Sequence, residues 1–369
     1  MMNYGFLFLI TFITTVLFTY FIKKVLIKFN VVDNPIVSEH RHKTGTPTMG
    51  GIAFLFSILF ISSIYYKEPL IVISVLTMVV AGIVGFIDDL IGLKSKEFQK
   101  VIKNISGKIV KIGILNLEPN HEARIATPKA KEDLPALLDK KLVKVIDEVP
   151  IKNEMSERDK IIFQLLIGIF LVVTASVFTL GGYDLGPIIN FNGISIGVLA
   201  IPIILIGMTG AINAVNLIDG MDGLAAGIIA IASFASVIYL FVTGDLDKSL
   251  PFIVLTGVTL GFLVFNRYPA SIFMGDTGSF VLGAGYATAV LITDIPYFGV
   301  LALFVPIVTV VISILNRANI INLPIEPFHH VLNYHGISEK KIIVSYWLIT
   351  ALISGFGLLI SYYFHFIVK

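Results

Sequence analysis

The stretch Pro69-Leu-Ile-Val-Ile-Ser-Val-Leu-Thr-Met-Val-Val-Ala-Gly-Ile-Val-Gly-Phe-Ile-Asp88-Asp89 decides the fold. It carries no charge until it ends in two adjacent carboxylates. Its apolar part is as long as a bilayer core requires, about 20 residues for a helix rising 1.5 Å per residue. Nine more apolar runs flank it, which gives ten: roughly 4–22, 49–66, 70–88, 161–180, 193–213, 224–242, 249–266, 278–294, 297–315 and 342–366. The whole chain agrees, with 56% hydrophobic residues, a mean hydropathy of +0.90 and only 14% charged residues. A soluble domain carries about 25% charged residues, so a soluble enzyme is excluded. In hydrocarbon each unpaired backbone group costs several kcal/mol, so the spans must be helical. The fold class read from the sequence is an all-α integral membrane protein with about ten transmembrane helices.

Sidedness follows from charge. Of the 27 Lys and Arg, 24 fall in the odd-numbered loops, and only Lys67, Lys248 and Lys369 lie on the other side. Positive residues favour the cytoplasmic face, which puts the odd loops in the cytoplasm and both termini outside. The first run is a span rather than a signal peptide, because Lys23, Lys24 and Lys28 follow it and no basic residue precedes it. The third loop, 92–160, is the one large polar region. It reads as a small cytoplasmic insertion with β-like runs at Lys108–Leu117 and Leu142–Ile151 around Pro119, Pro128 and Pro135. The membrane domain is then 1–91 together with 161–369. With no cysteine, disulfides, thiolate catalysis and zinc–thiolate sites are excluded.

Five polar clusters sit at span ends, all in odd loops. His40-Arg-His-Lys43-Thr-Gly-Thr-Pro-Thr48-Met-Gly-Gly51 precedes the second span. A lysine with a Gly/Thr-rich turn at a helix start can cradle phosphate, or simply touch anionic lipid. Asp88 and Asp89 close the third span. Adjacent carboxylates at an apolar helix end want a cation or a shared proton, and magnesium favours oxygen ligands; a solvated helix end is the alternative. Asn213-Ala-Val-Asn216-Leu-Ile-Asp219-Gly-Met-Asp222-Gly joins spans five and six. There Asn213, Asn216 and Asp219 share one face if the helix runs on. Phe273-Met-Gly-Asp276-Thr-Gly-Ser279 leads into span eight, with Asp276 next to Gly275 and Phe273 either stacking on a base or anchoring at the interface. Glu326-Pro-Phe-His329-His330 in the ninth loop suits phosphate binding or proton handling. All five fall on one face by a charge rule that takes no account of them.

In this order and on these loops, the clusters resemble the polyprenyl-phosphate N-acetylhexosamine-1-phosphate transferases, the superfamily that includes MraY and WecA. Asn213–Ala225, Phe273–Ser279 and the Asp-Asp pair carry the resemblance, which runs from about Lys43 to the last span. It implies ten spans with external termini and transfer of a sugar 1-phosphate from a UDP-activated amino sugar to polyprenyl phosphate. It implies magnesium, or manganese in its place, at Asp276, Asn216 and Asp89. Catalytic roles fall on Asp88, Asp89, Asp219, His329 and His330. Substrate contacts fall on Lys43, Thr48, Lys160, Asn213, Asp222 and Phe273, with Phe273 against the uracil. Val331 stands where the MraY pattern has a third histidine, and Gly92 where it often has a lysine. The string Lys43–Gly51 looks like the muramoyl-pentapeptide branch, whereas Asn216–Gly227 and Phe273–Ser279 fit the N-acetylglucosamine branch at least as well. The resemblance also makes a homodimer plausible. No nucleic-acid partner is expected, and the expected location is the plasma membrane.

A secondary transporter is the rival class. Its ionisable groups should lie at mid-membrane within broken helices, whereas these acids gather at span ends. A scaffold with a degenerate site is a second rival, opposed by intact acids at every motif.

Overall fold

The computed structural model describes residues 3–32, 45–94, 96–113, 115–125, 128–152, 155–182, 190–191, 194–195 and 200–366. Each of the ten apolar runs contributes at least one helix, although the fifth opens on a short strand, Ile194–Ser195 paired with Asn190–Phe191, before its helix starts at Ala200. The helices are α1 (Tyr4–Lys28), α2 (Ile52–Ile64) and α3 (Pro69–Lys94), then, beyond an insertion that contains α4 (Pro128–Asp139), α5 (Glu157–Leu180) and α6 (Ala200–Ile218). There follow α7 (Leu224–Thr243), α8 (Leu250–Asn266), α9 (Gly275–Ile292), the pair α10 (Pro296–Ala302) and α11 (Phe304–Arg317), the short α12 (Phe328–Tyr334), and α13 (Glu339–Phe366).

Among the described residues, seven helices are long and apolar enough to cross a membrane, and the α10–α11 pair, bent by 71°, makes eight. The remaining two, α2 and α9, do not meet that measure. The first is only 13 residues long. The second opens Gly-Asp-Thr-Gly-Ser and is diluted by further small residues. Its surroundings explain why. Every residue from Thr277 to Val290 is buried, so α9 meets protein rather than lipid and has no need of a greasy exterior. The lipid-facing helices show the opposite, with Leu352, Phe356 and Leu359 of α13 exposed.

Two helices that carry site residues continue past the end read from hydropathy. The third continues to Lys94, so Asp88 and Asp89 lie inside α3 rather than at its end. Similarly α6 carries Asn213 and Asn216 within it and stops at Ile218. In both cases partners on neighbouring helices satisfy the polar groups.

Close approach of α9 to α2 and α3 requires glycine. A methyl group on Gly85 would stand 2.3 Å from the Asp276 carbonyl oxygen. One on Gly51 would stand 2.1 Å from the Gly278 nitrogen.

The insertion between α3 and α5 is a small α/β body. Its strands are β1 (Lys96–Asn104), β2 (Val110–Ile112), β3 (Leu115–Leu117), β4 (Glu122–Arg124) and β5 (Val143–Lys152). An antiparallel sheet in the order β4-β1-β5 pairs Lys96 with Lys152 at its open end, and β2 and β3 form a hairpin. Ile102, Val110, Ile112, Leu117, Ile125, Ala130, Leu134 and Val143 form a core of its own. The run 108–117 is therefore two strands, not one. Both β1, whose alternating charges hide its strand character, and α4, whose prolines read as a loop, were not apparent in the sequence. Pro128 opens α4, where a missing N–H is harmless.

Candidate active site

The polar clusters meet at one end of the bundle. Asp88 from α3 and Asp276 from the first turn of α9 face one another across the ammonium of Lys160, in the first turn of α5. Its Nζ lies 2.7 Å from Asp88 Oδ2 and 3.0 Å from Asp276 Oδ2. Asp88 is 1% exposed. Its other oxygen accepts the Met155 backbone N–H at 2.6 Å.

Asp276 is held from the far side by Asn216, whose Nδ2 donates to Asp276 Oδ1 at 2.7 Å and to Ser279 Oγ at 2.9 Å. Asp89 does something different from its neighbour. Its Oδ2 accepts the Thr277 N–H at 2.9 Å and the Thr277 hydroxyl at 2.6 Å, and its Oδ1 accepts the Asp276 N–H at 3.2 Å. Asp89 thus caps the N-terminus of α9, where a negative charge is favoured by the helix dipole, and aims the helix that carries Asp276. Gly275, at φ +70°, leaves room for this: a Cβ there would stand 2.7 Å from Asp89 Oδ2.

Beyond the end of α6, Asp219 continues the chain as a tight turn, its N–H donating to the Asn216 carbonyl at 3.2 Å. Burial raises its carboxyl well above the usual carboxylate range, and the charges of Asp276, Asp89 and Asp222 push the same way. Next to it, Gly220 receives the histidine loop. The Nε2 atoms of His329 and His330 stand 2.7 and 2.8 Å from where a Cβ of Gly220 would be, with their rings 4.5 Å apart. His329 is fully buried.

The remaining expected residues divide. Phe273 is half-buried and its backbone joins the first and fourth clusters: its N–H donates to the Pro47 carbonyl at 2.8 Å and its carbonyl accepts the Gly50 N–H at 2.8 Å. Thr48 is buried in this joint. Lys43 lies outside the described residues. Asp222 is buried, with Oδ2 accepting the Ala270 N–H at 2.8 Å and its own N–H donating to Glu339 Oε1 at 2.9 Å. Asn213 exchanges hydrogen bonds with Gln164 of α5 at 2.6 and 3.2 Å, so its amide ties α6 to α5.

Sequence reading missed Gln164, Thr277, Glu339 and the Arg317 bridge. Arg317 pairs with Glu157 at 2.8 Å and with Glu326 at 3.1 Å, joining the start of α5 to the histidine loop. A lone glutamine in the apolar α5 run was a signal available in the sequence. The Met155 N–H left none, since a backbone donor has no sequence signature.

Among the described residues, no three histidine, aspartate or glutamate side chains stand ready around one point. The donor chemistry nevertheless fits magnesium. Asp88 and Asp276 turn oxygens to one place where a positive charge already sits, and Asp89 lies alongside at the start of α9. Magnesium is commonly held by one or two carboxylates, with substrate phosphate and water completing its shell.

Such a fold and site define a multi-pass membrane protein with a cluster of buried acids around one lysine at the end of its bundle. The profile of Glycosyl transferase family 4 matches residues 141–294, and the phospho-N-acetylmuramoyl-pentapeptide-transferase signature 1 matches residues 43–55. The chain is 52% identical to a putative phospho-N-acetylmuramoyl-pentapeptide-transferase of Methanothermobacter thermautotrophicus, over 97% of this chain and 98% of that one. It is 30% identical to the phospho-N-acetylmuramoyl-pentapeptide-transferase of Desulforapulum autotrophicum, over 86% and 80% of the two chains. It is 28% identical to that of a Geobacillus species, over 96% and 95%. The chain belongs to glycosyl transferase family 4 and is a phospho-sugar transferase of the MraY-like kind.

Proposed function

We propose that the protein transfers an N-acetylamino-sugar 1-phosphate from a UDP-sugar to polyprenyl phosphate at the cytoplasmic face of the plasma membrane, releasing UMP. The observation that carries this reading is the placement of Asp88 and Asp276 on either side of one cationic position, at the bundle end where the basic loops emerge. Phosphoryl transfer demands charge neutralisation and alignment more than covalent chemistry from the protein. Asp276, with Asn216 holding its other oxygen and Asp89 fixing its helix, would hold magnesium together with Asp88. Magnesium supplies neutralisation of the diphosphate and of the departing UMP.

The protein's own groups do the rest. Asp88 accepts the proton of the lipid phosphate or orients it for attack, shielded from water by its burial. Lys160, placed between the two acids, would offer its ammonium to donor phosphate. His329 and His330, stacked on Gly220, present two imidazoles to the phosphate region. A donor resembling UDP-N-acetylmuramoyl-pentapeptide is favoured by the Lys43–Gly51 string and by the names of the relatives. UDP-N-acetylglucosamine is the second reading, supported by the strings Asn216–Gly227 and Phe273–Ser279.

The test is incubation of membranes containing the protein with each radiolabelled donor and polyprenyl phosphate, with and without EDTA. The expected result is chelator-sensitive labelling of lipid by one donor. Labelling by neither donor, or uptake into vesicles with no lipid product, would overturn the proposal.

A further inference from the structure

The insertion is rooted in the site at both ends. Asp88 and Asp89 lie a few residues before β1, and Met155 and Lys160 a few residues after β5. Because β1 and β5 are paired from Lys96–Lys152 to Asn104–Val143, the ribbon fixes the end of α3 against the start of α5. At its far side the insertion touches the site again. The His121 ring packs on Tyr334, one turn past His330 on α12, with centroids 4.9 Å apart.

This contact is built rather than incidental. His121 ends a tight turn in which its N–H donates to the Glu118 carbonyl at 3.2 Å and Asn120 adopts φ +65°. His121 Nδ1 lies 3.2 Å from the Pro119 carbonyl, which fixes the ring. The turn is anchored by Asn104, fully buried, whose amide donates to the Lys108 and Leu117 carbonyls at 2.7 and 2.8 Å and whose N–H donates to the His121 carbonyl at 3.0 Å. Charge points the same way. Residues 96–152 hold twelve Lys and Arg against eight Asp and Glu, a positive body beside a phosphate site.

We propose that the insertion, with His121 at its tip, forms the outer wall of the donor site and grips the part of the donor beyond its diphosphate. This rests on the transferase reading above. A lipid acceptor reaches Asp88 from the bilayer, whereas a water-soluble UDP-sugar arrives from the side the insertion covers. Its net positive charge draws in an anionic donor. A rigid wall braced on the helices of Asp88, Lys160 and His330 contacts whatever projects from the sugar. The insertion is therefore a selectivity element for the donor and is silent toward the lipid.

The full-length chain offers a direct test. His121→Ala should raise the KM for the donor by about threefold or more while leaving the KM for polyprenyl phosphate unchanged. In this cysteine-free chain, His121→Cys supplies a single thiol. Its maleimide labelling should slow by about fivefold or more under saturating UDP-N-acetylglucosamine or UDP-N-acetylmuramoyl-pentapeptide, because a seated ligand covers the residues it touches. UMP, which lacks the sugar, should leave the labelling rate unchanged. Equal labelling with and without either donor, or equal shifts in both KM values, would overturn the inference. Failure of the transferase reading would appear separately, as unmodified protein that yields no labelled lipid. Protection of the thiol by donor would then still sustain the wall as a binding surface.

Discussion

The seam between α3 and α9 and the insertion that follows α3 lie a few residues apart in the chain and are built on opposite plans. The seam has no tolerance. Glycines bring backbones into contact, buried carboxylates are each met by named donors, and α9 is enclosed along its length. The insertion is a small body with eight core side chains of its own, and among its described contacts with the membrane domain are the β1–β5 ribbon and the His121–Tyr334 ring pair. The difference is one of construction: the acids of the seam are held where backbone cannot relax, whereas the insertion holds itself together with a core of its own.

The comparison fails first if the seam proves tolerant. Asp276→Asn should lower sugar-phosphate transfer by about a thousandfold, the scale for loss of a preorganised charged group, while the protein stays folded in the membrane. Exchange of UMP with lipid-linked sugar measures it, and near-normal exchange would remove Asp276 from the mechanism.

Gly85→Ala comes next. Its methyl group would meet backbone at 2.3 Å, which a rotamer change cannot relieve. Overpacking of this kind costs about 1–3 kcal/mol, so a lowered thermal midpoint in detergent should accompany a fall in turnover of about tenfold or more.

Ile102→Ala in the insertion sharpens the contrast. Ile102 is fully buried, and truncation should cost about 2–5 kcal/mol, all of it local. Hydrogen exchange should quicken across β1 and β5 while α9 stays protected, and turnover should change by less than about tenfold. Equal loss of protection in α9 would show that the two regions are one cooperative unit.

Arg317→Ala should have the smallest effect. Its two ion pairs are half-exposed, so about 0–1 kcal/mol is at stake, with a shift of about twofold in donor KM as the histidine loop loosens.

Much of the membrane domain was legible in the sequence because hydrocarbon enforces helices, and among the described residues seven or eight of the apolar runs form helices long and apolar enough to cross a membrane. The site clusters were legible for a related reason: acids are costly beside apolar spans and stand out. What was hidden followed physical logic too. Span ends were misjudged where Asn216 and Asp89 find partners on other helices, because hydropathy cannot see a partner. The distinct geometry of the two adjacent aspartates, one facing Lys160 and the other capping α9, depends on which way each side chain points. Residue order does not carry that. In the insertion, β1 and α4 were obscured because a strand with charges on its open face and a helix with prolines lack the periodicities by which such elements are recognised. Lys160 lies far from Asp88 in sequence, and the pairing of β1 with β5 together with the packing of α5 on α3 brings it back.

Diffraction from crystals of the protein grown with manganese tests the central claim most directly. Anomalous scattering should place one ion about 2.2 Å from oxygens of both Asp88 and Asp276, with the Lys160 ammonium displaced from between them. An ion bound elsewhere, or Lys160 still bridging the two carboxylates at saturating manganese, would contradict a shared cation as the organising feature of the site.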